Sequence, residues 1–95
     1  MKSRATSRFW DLYHALPENV QRHAGKAFRT WTENPAHPGM RFRQVHPSRR
    51  IYSIRVGLRW RALGQRSDDT MIWFWIGSHA EYDRLVAKVR DRPPR

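Results

Sequence analysis

The chain has 95 residues, with 19 lysines and arginines against eight aspartates and glutamates, a formal net charge of +11, and no cysteine. That length makes one small domain, residues 1–95, the ceiling, and 39% hydrophobic residues are enough to build its core. Without cysteine there are no disulfides, zinc fingers or thiol chemistry, and the longest apolar run, Met71 to Ile76, is far short of the roughly 18–20 residues of a membrane-spanning helix.

The basic start of the chain leads into an amphipathic stretch and not into the apolar core of a secretory signal, so the expected location is the cytoplasm, with no membrane partner. Sixteen of the 19 cations are arginines, and eight of these (Arg41, Arg43, Arg49, Arg50, Arg55, Arg59, Arg61 and Arg66) fall between positions 34 and 67, where no acidic residue occurs. Clustered guanidiniums gain free energy by displacing counterions from a polyanion, which puts nucleic acid first among partners; a merely solvated basic face is the alternative.

Residues 1–6 are expected to be frayed. Phe9, Leu12, Tyr13 and Leu16 recur at helical spacing and predict an amphipathic helix over 7–16 that stops before Pro17. A second helix opens at Pro17-Glu18, carries Val20, Ala24, Ala27, Phe28 and Trp31 on one face, and ends near Asn34-Pro35. From Arg41 the pattern changes to short β-rich runs, Arg41 to Val45, Ile51 to Val56, Trp60 to Leu63 and Met71 to Ile76. The last is apolar on both parities, as a central strand covered on both faces requires. Ser78-His79-Ala80-Glu81 matches a capping box, and Tyr82, Leu85, Val86 and Val89 continue it as a helix docked by one face, with fraying expected over 91–95. The expected fold is therefore α+β: an N-terminal helical hairpin packed on a small antiparallel sheet, a meander of about four strands, closed by a short C-terminal helix.

A three-residue loop at Gly57-Leu58-Arg59 pairs Val56 with Trp60 and Ile54 with Ala62, keeping apolar residues on one face; a two-residue loop would set Ile54 against Arg61. The three-residue register also sets Arg55 directly across from Arg61. Like charges at that spacing repel, so the pair either holds an anion between its members or fans into solvent.

Metal-free hydrolysis of RNA beside such a pair needs a proton carrier, and arginine cannot be one. His79 at the start of the last helix is the best placed, although a histidine there is more often structural; Tyr82 lies one turn on but belongs to the apolar stripe. His37 and His46 flank the first β-rich run. The acids form no cluster and no histidine pair has i, i+4 spacing, so neither a metal site nor a cofactor is expected; phosphate-binding glycine loops and the Gly-x-Ser-x-Gly nucleophile motif are absent.

The segments Tyr52-Ser53-Ile54-Arg55-Val56-Gly57, Trp60-Arg61-Ala62-Leu63-Gly64 and Trp75-Ile76-Gly77-Ser78-His79-Ala80-Glu81-Tyr82-Asp83-Arg84-Leu85, after the helical hairpin and Asn34-Pro35-Ala36-His37-Pro38-Gly39-Met40, resemble the RelE/ParE toxin superfamily over about residues 7–87. The resemblance implies a toxin of a type II toxin–antitoxin pair. RelE-like members cut mRNA, usually on the ribosome, and ParE-like members poison DNA gyrase by protein contact. It further implies that Arg55 and Arg61 hold the scissile phosphate, that His79 acts as acid or base, and that Tyr82 stacks on or protonates the substrate. His37 corresponds to a histidine of the YafQ-like branch. Arg41, Arg43 and Arg59, with His37 and His46, would bind RNA, and an acidic antitoxin would cover the same surface. The chain departs from the family where Arg55 and Gly57 stand in place of strand lysines, and the family's leading strand is expected to be truncated or absent before Phe9. The endoribonuclease is the leading expectation; the gyrase inhibitor and a basic protein that binds RNA without cutting it are the alternatives.

Overall fold

The computed structural model describes residues 2–46 and 48–91. Lys2–Ala5 form β1, Ser7–His14 α1 and Glu18–Glu33 α2; a single 3₁₀ turn at Pro38–Met40 leads into β2 (Arg43–His46), β3 (Ile51–Val56), β4 (Trp60–Ser67), β5 (Thr70–Ser78) and α3 (His79–Asp91). The sheet order is β1-β5-β4-β3-β2, with β1 parallel to β5 and the other neighbours antiparallel.

The helical hairpin forms where the apolar spacing places it. Thr6 Oγ1 accepts from Phe9 N at 3.1 Å and caps α1, and the Gln21 amide donates to the Leu16 carbonyl at 3.0 Å, closing the turn before α2. Val20, Ala24, Ala27 and Trp31 are buried. Trp31 meets Trp73 edge-on at 5.2 Å, within a core that also holds Phe9, Ile54, Val56, Ala62, Met71 and Ile76.

The apolar spine strand β5 serves both faces of the sheet through a bulge. Gly64 pairs with Trp73 and Leu63 with Trp75, so Phe74 is an extra residue and the alternation changes phase there. Trp73 consequently packs under the helical hairpin, while Trp75 packs on the opposite face with Val45, Leu63 and Tyr82 beneath α3. Gly64 makes the room for this, since a Cβ on it would fall 2.7 Å from Trp73 Cε3.

Two expectations are corrected. The sheet has five strands and is mixed, because β1 pairs along β5 from Lys2↔Thr70 to Ala5↔Trp73. Residues 2–6 are therefore not frayed: Lys2 N donates to Asp69 O at 2.8 Å, Thr6 N to Trp73 O at 2.9 Å, and the Trp73 indole N–H to Ser3 Oγ at 3.0 Å. β1 gives no hydrophobic alternation because Lys2, Ser3 and Arg4 are exposed on a sheet edge. The first meander strand also begins at Arg43 instead of Arg41, which closes the 3₁₀ turn at φ 47. Of the fraying expected over 91–95, Asp91 instead closes α3 and residues 92–95 lie outside those described, as does the side chain of Val89. Among the described residues no helix is long and apolar enough to cross a membrane.

Trp73 joins β1, both N-terminal helices and the spine, so Trp73→Ala should cost about 3–5 kcal/mol, read as a lowered urea midpoint.

Candidate functional site

The β3–β4 hairpin adopts the three-residue loop. Gly57, at φ 62, supplies the left-handed residue, and the ladder pairs Val56 with Trp60, Arg55 with Arg61 and Ile54 with Ala62. Arg61 pairs on its other side with Gly77 of β5. A Cβ on Gly77 would lie 2.5 Å from Trp75 Cζ2, so the indole lies over bare backbone beside the arginine pair. In the neighbouring row Arg43 pairs with Ser53, and Ser53 with Leu63. This is the face that α3 covers further along the strands.

The arginines crowd one another. The Arg61 guanidinium is half-buried, and its pKa is pushed below the ordinary arginine value, first by burial and then by the charge of Arg55, with smaller contributions from Arg41 and Arg43; the Tyr82 phenol acts in the opposite sense. Arg55 Nε donates to the Gly57 carbonyl at 3.1 Å and Arg61 Nη1 to the Trp60 carbonyl at 2.8 Å. Among the described residues no carboxylate pairs with any of these four cations, and the one ion pair is His79 with Asp83.

His79 begins α3. The capping box forms as its spacing predicts: Ser78 Oγ accepts from Glu81 N at 3.2 Å and Glu81 Oε1 accepts from Ser78 N at 3.3 Å. His79 N donates to the Arg59 carbonyl at 2.7 Å, two residues along from the Arg61–Gly77 pair and just past the Trp60–Ser78 pair that ends the ladder. Its Nδ1 lies 3.0 Å from Asp83 Oδ2 and its side chain is 47% exposed. Asp83 thereby favours the proton on Nδ1 of the neutral ring and leaves the Nε2 lone pair free. The sequence reading missed Asp83, although its i, i+4 spacing from His79 was the available signal.

Tyr82 is corrected from a base-stacking role. Its ring is 3% exposed and its hydroxyl donates to Ser53 Oγ at 3.3 Å, so it has no free face for a base and instead pins α3 to β3. His46 does not join the site. Its Nδ1 accepts from Ser48 N and Arg49 N, both at 3.1 Å, and it pairs with Ile51, four residues along β3 from Arg55 and so about 13 Å away. His37 is exposed beside Arg41, and its Nδ1 accepts from Gly39 N at 3.0 Å. Both line a hollow of about 370 Å³ with Pro35, Pro38 and Phe42. Arg41, Arg43 and Arg59 are all exposed. Arg55 and Arg61 are both half-buried, and neither lines that hollow. Among the described residues no group of three or more metal-ligating side chains is assembled.

The fold is similar to those of solved toxins. YafQ from E. coli strain BL21(DE3) is 10% identical, with 85% of this chain and 96% of that one covered at a TM-score of 0.68. The RelE of a RelB–RelE antitoxin–toxin complex from Methanococcus jannaschii is 12% identical, with 86% and 96% covered and a TM-score of 0.69. The YoeB/ParE toxin from Agrobacterium tumefaciens is 15% identical, with 83% and 99% covered and a TM-score of 0.64. No curated protein matches the sequence. The model of the ParE-like toxin domain matches residues 18–84, from the start of α2 into α3, and the chain accordingly belongs to that family, the RelE/ParE superfamily of type II toxin–antitoxin toxins.

Proposed function

We propose that this toxin is a metal-independent endoribonuclease that cuts mRNA, on the ribosome and in the cytoplasm. The observation that carries the reading is the uncompensated Arg55–Arg61 pair, in register across the hairpin, with an Asp83-oriented imidazole at the start of α3, two residues beyond Gly77. A phosphodiester between the two guanidiniums offsets their mutual repulsion, and the offset grows as charge accumulates on the phosphorane. The 2′-oxygen attacks phosphorus and the bond to the 5′-oxygen breaks, leaving a 2′,3′-cyclic phosphate and a 5′-hydroxyl. His79 Nε2 moves a proton in this exchange, and Asp83 stabilises the imidazolium. Arg41, Arg43 and Arg59 hold flanking phosphates. Tyr82 acts at one remove, by fixing α3 and therefore His79.

An acidic antitoxin fits the same basic face, and the M. jannaschii relative is known in complex with its antitoxin. The second reading, a gyrase inhibitor acting by protein contact, is favoured by the match to a ParE-like domain.

Brief induction in a bacterial host should produce new 5′-hydroxyl ends across mRNAs. Arg61→Ala and His79→Ala should each restore growth, with cleavage lowered about 10²–10⁴-fold for the histidine and circular dichroism unchanged. Intact mRNA accompanied by DNA damage, unaffected by His79→Ala, would establish the gyrase reading instead. Tyr82→Phe should keep cleavage while losing about 0.5–1.5 kcal/mol of stability. Arg55→Gln relieves the repulsion and should raise the urea midpoint by about 0.2–1 kcal/mol equivalent at low salt. That gain should shrink in 1 M NaCl, where the screening length falls to about 3 Å.

A further inference from the structure

The hollow between the end of α2 and the start of β2 has features that phosphate binding leaves unused. Its volume of about 370 Å³ falls within the roughly 300–1,000 Å³ of small-molecule sites, and its walls are apolar and rigid. Phe42 is stacked on Tyr52 at 4.9 Å and 21° and meets buried Trp31 edge-on at 5.7 Å, yet still lines the hollow. Pro35 and Pro38 add surfaces with few conformations to lose.

The two polar side chains of the lining, His37 and Arg41, both present donors. Because His37 Nδ1 accepts the Gly39 N–H, the neutral ring carries its proton on Nε2, which faces away from that turn as a donor. Gly39 keeps this arrangement, since a Cβ there would sit 3.1 Å from His37 Cε1. Arg41 contributes a guanidinium fork from a left-handed backbone, φ 47 and ψ 42, a conformation that costs free energy in a non-glycine residue. With no acidic residue from 34 to 67, the sequence around the rim offers the fork no carboxylate.

The geometry points to this hollow as a guanine subsite, with the base lying against Phe42, its O6 and N7 accepting from Arg41, and His37 Nε2–H supplying a further donor. On its Hoogsteen edge guanine shows two adjacent acceptors suited to a bidentate fork, whereas adenine directs an amino group at it; cytosine offers a comparable pair at O2 and N3, so a cytosine probe that binds as tightly as the guanine one would overturn the assignment. The inference rests on reading the neighbouring arginines as an RNA site. The link is Arg41, whose charge is felt at Arg61, so that one strand reaches both the hollow and the phosphate row. Arg41 thus reads a base as well as neutralising the backbone.

The test is titration of the purified chain, followed by NMR, with 2′-O-methyl tetranucleotides UUGU, UUAU and UUCU, which lack the attacking hydroxyl and stay intact. UUGU should bind about tenfold tighter than UUAU, with the largest shifts at His37 and Phe42. Replacing its guanine with 7-deazaguanine should remove most of that preference. Arg41→Gln and Arg41→Lys should both erase the guanine-to-adenine ratio, the lysine variant keeping the charge but not the fork. Free GMP should compete far more weakly than UUGU; equal binding would assign the hollow to a free nucleotide and overturn the RNA subsite. Equal affinity for UUGU and UUAU, or a ratio that survives Arg41→Gln, would overturn it as well. The two readings fail separately: cleavage in cells without guanine preference removes the subsite and keeps the nuclease, whereas guanine preference in a chain that leaves mRNA intact removes the nuclease and keeps the subsite.

Discussion

Strand β5 must be buried on both faces, and the bulge at Phe74 is how it meets that constraint. With strict alternation, Trp73 and Trp75 would compete for one side of the sheet. The extra residue sends Trp73 under the helical hairpin and Trp75 under α3, and each indole becomes the centre of its own apolar cluster. The same change of phase sets Gly77 on the α3 side, in line with Arg61 and Arg55. Core packing and the arrangement of the basic face are therefore consequences of one irregularity in one ladder.

The basic face is held together against its own charge. The charges of Arg55, Arg41 and Arg43 all bear on Arg61, with no carboxylate paired to it among the described residues, and the hairpin survives because the residues on its reverse side, Ile54, Val56 and Ala62, are fully buried. Hydrophobic burial on one side of the ribbon sustains electrostatic repulsion on the other. A surface built in this way gains free energy whenever an anion arrives.

Much of this was legible in the sequence, for local reasons. The hairpin register followed from Gly57 and the apolar alternation around it, and the start of α3 followed from Ser78 and Glu81, because turn and cap chemistry depend on near neighbours. What could not be read were the long-range choices. β1 is polar and takes its order from a partner strand 68 residues away, from Lys2 to Thr70. Tyr82 stands where the apolar stripe and the expected site coincide, and only the packing against Ser53 separates the two roles. The place of His46 flanking the first β-rich run does not show that Ser48 N and Arg49 N both donate to its Nδ1.

The parallel edge strand also bears on how the chain comes to be folded during synthesis. Among the described residues β1 has no strand neighbour other than β5, so Lys2–Ala5 stays unpaired until Thr70–Ser78 has been made. Closing so long a loop is entropically slow relative to the local meander. Within this domain the part made earliest thus docks late, once β5 is present to receive it.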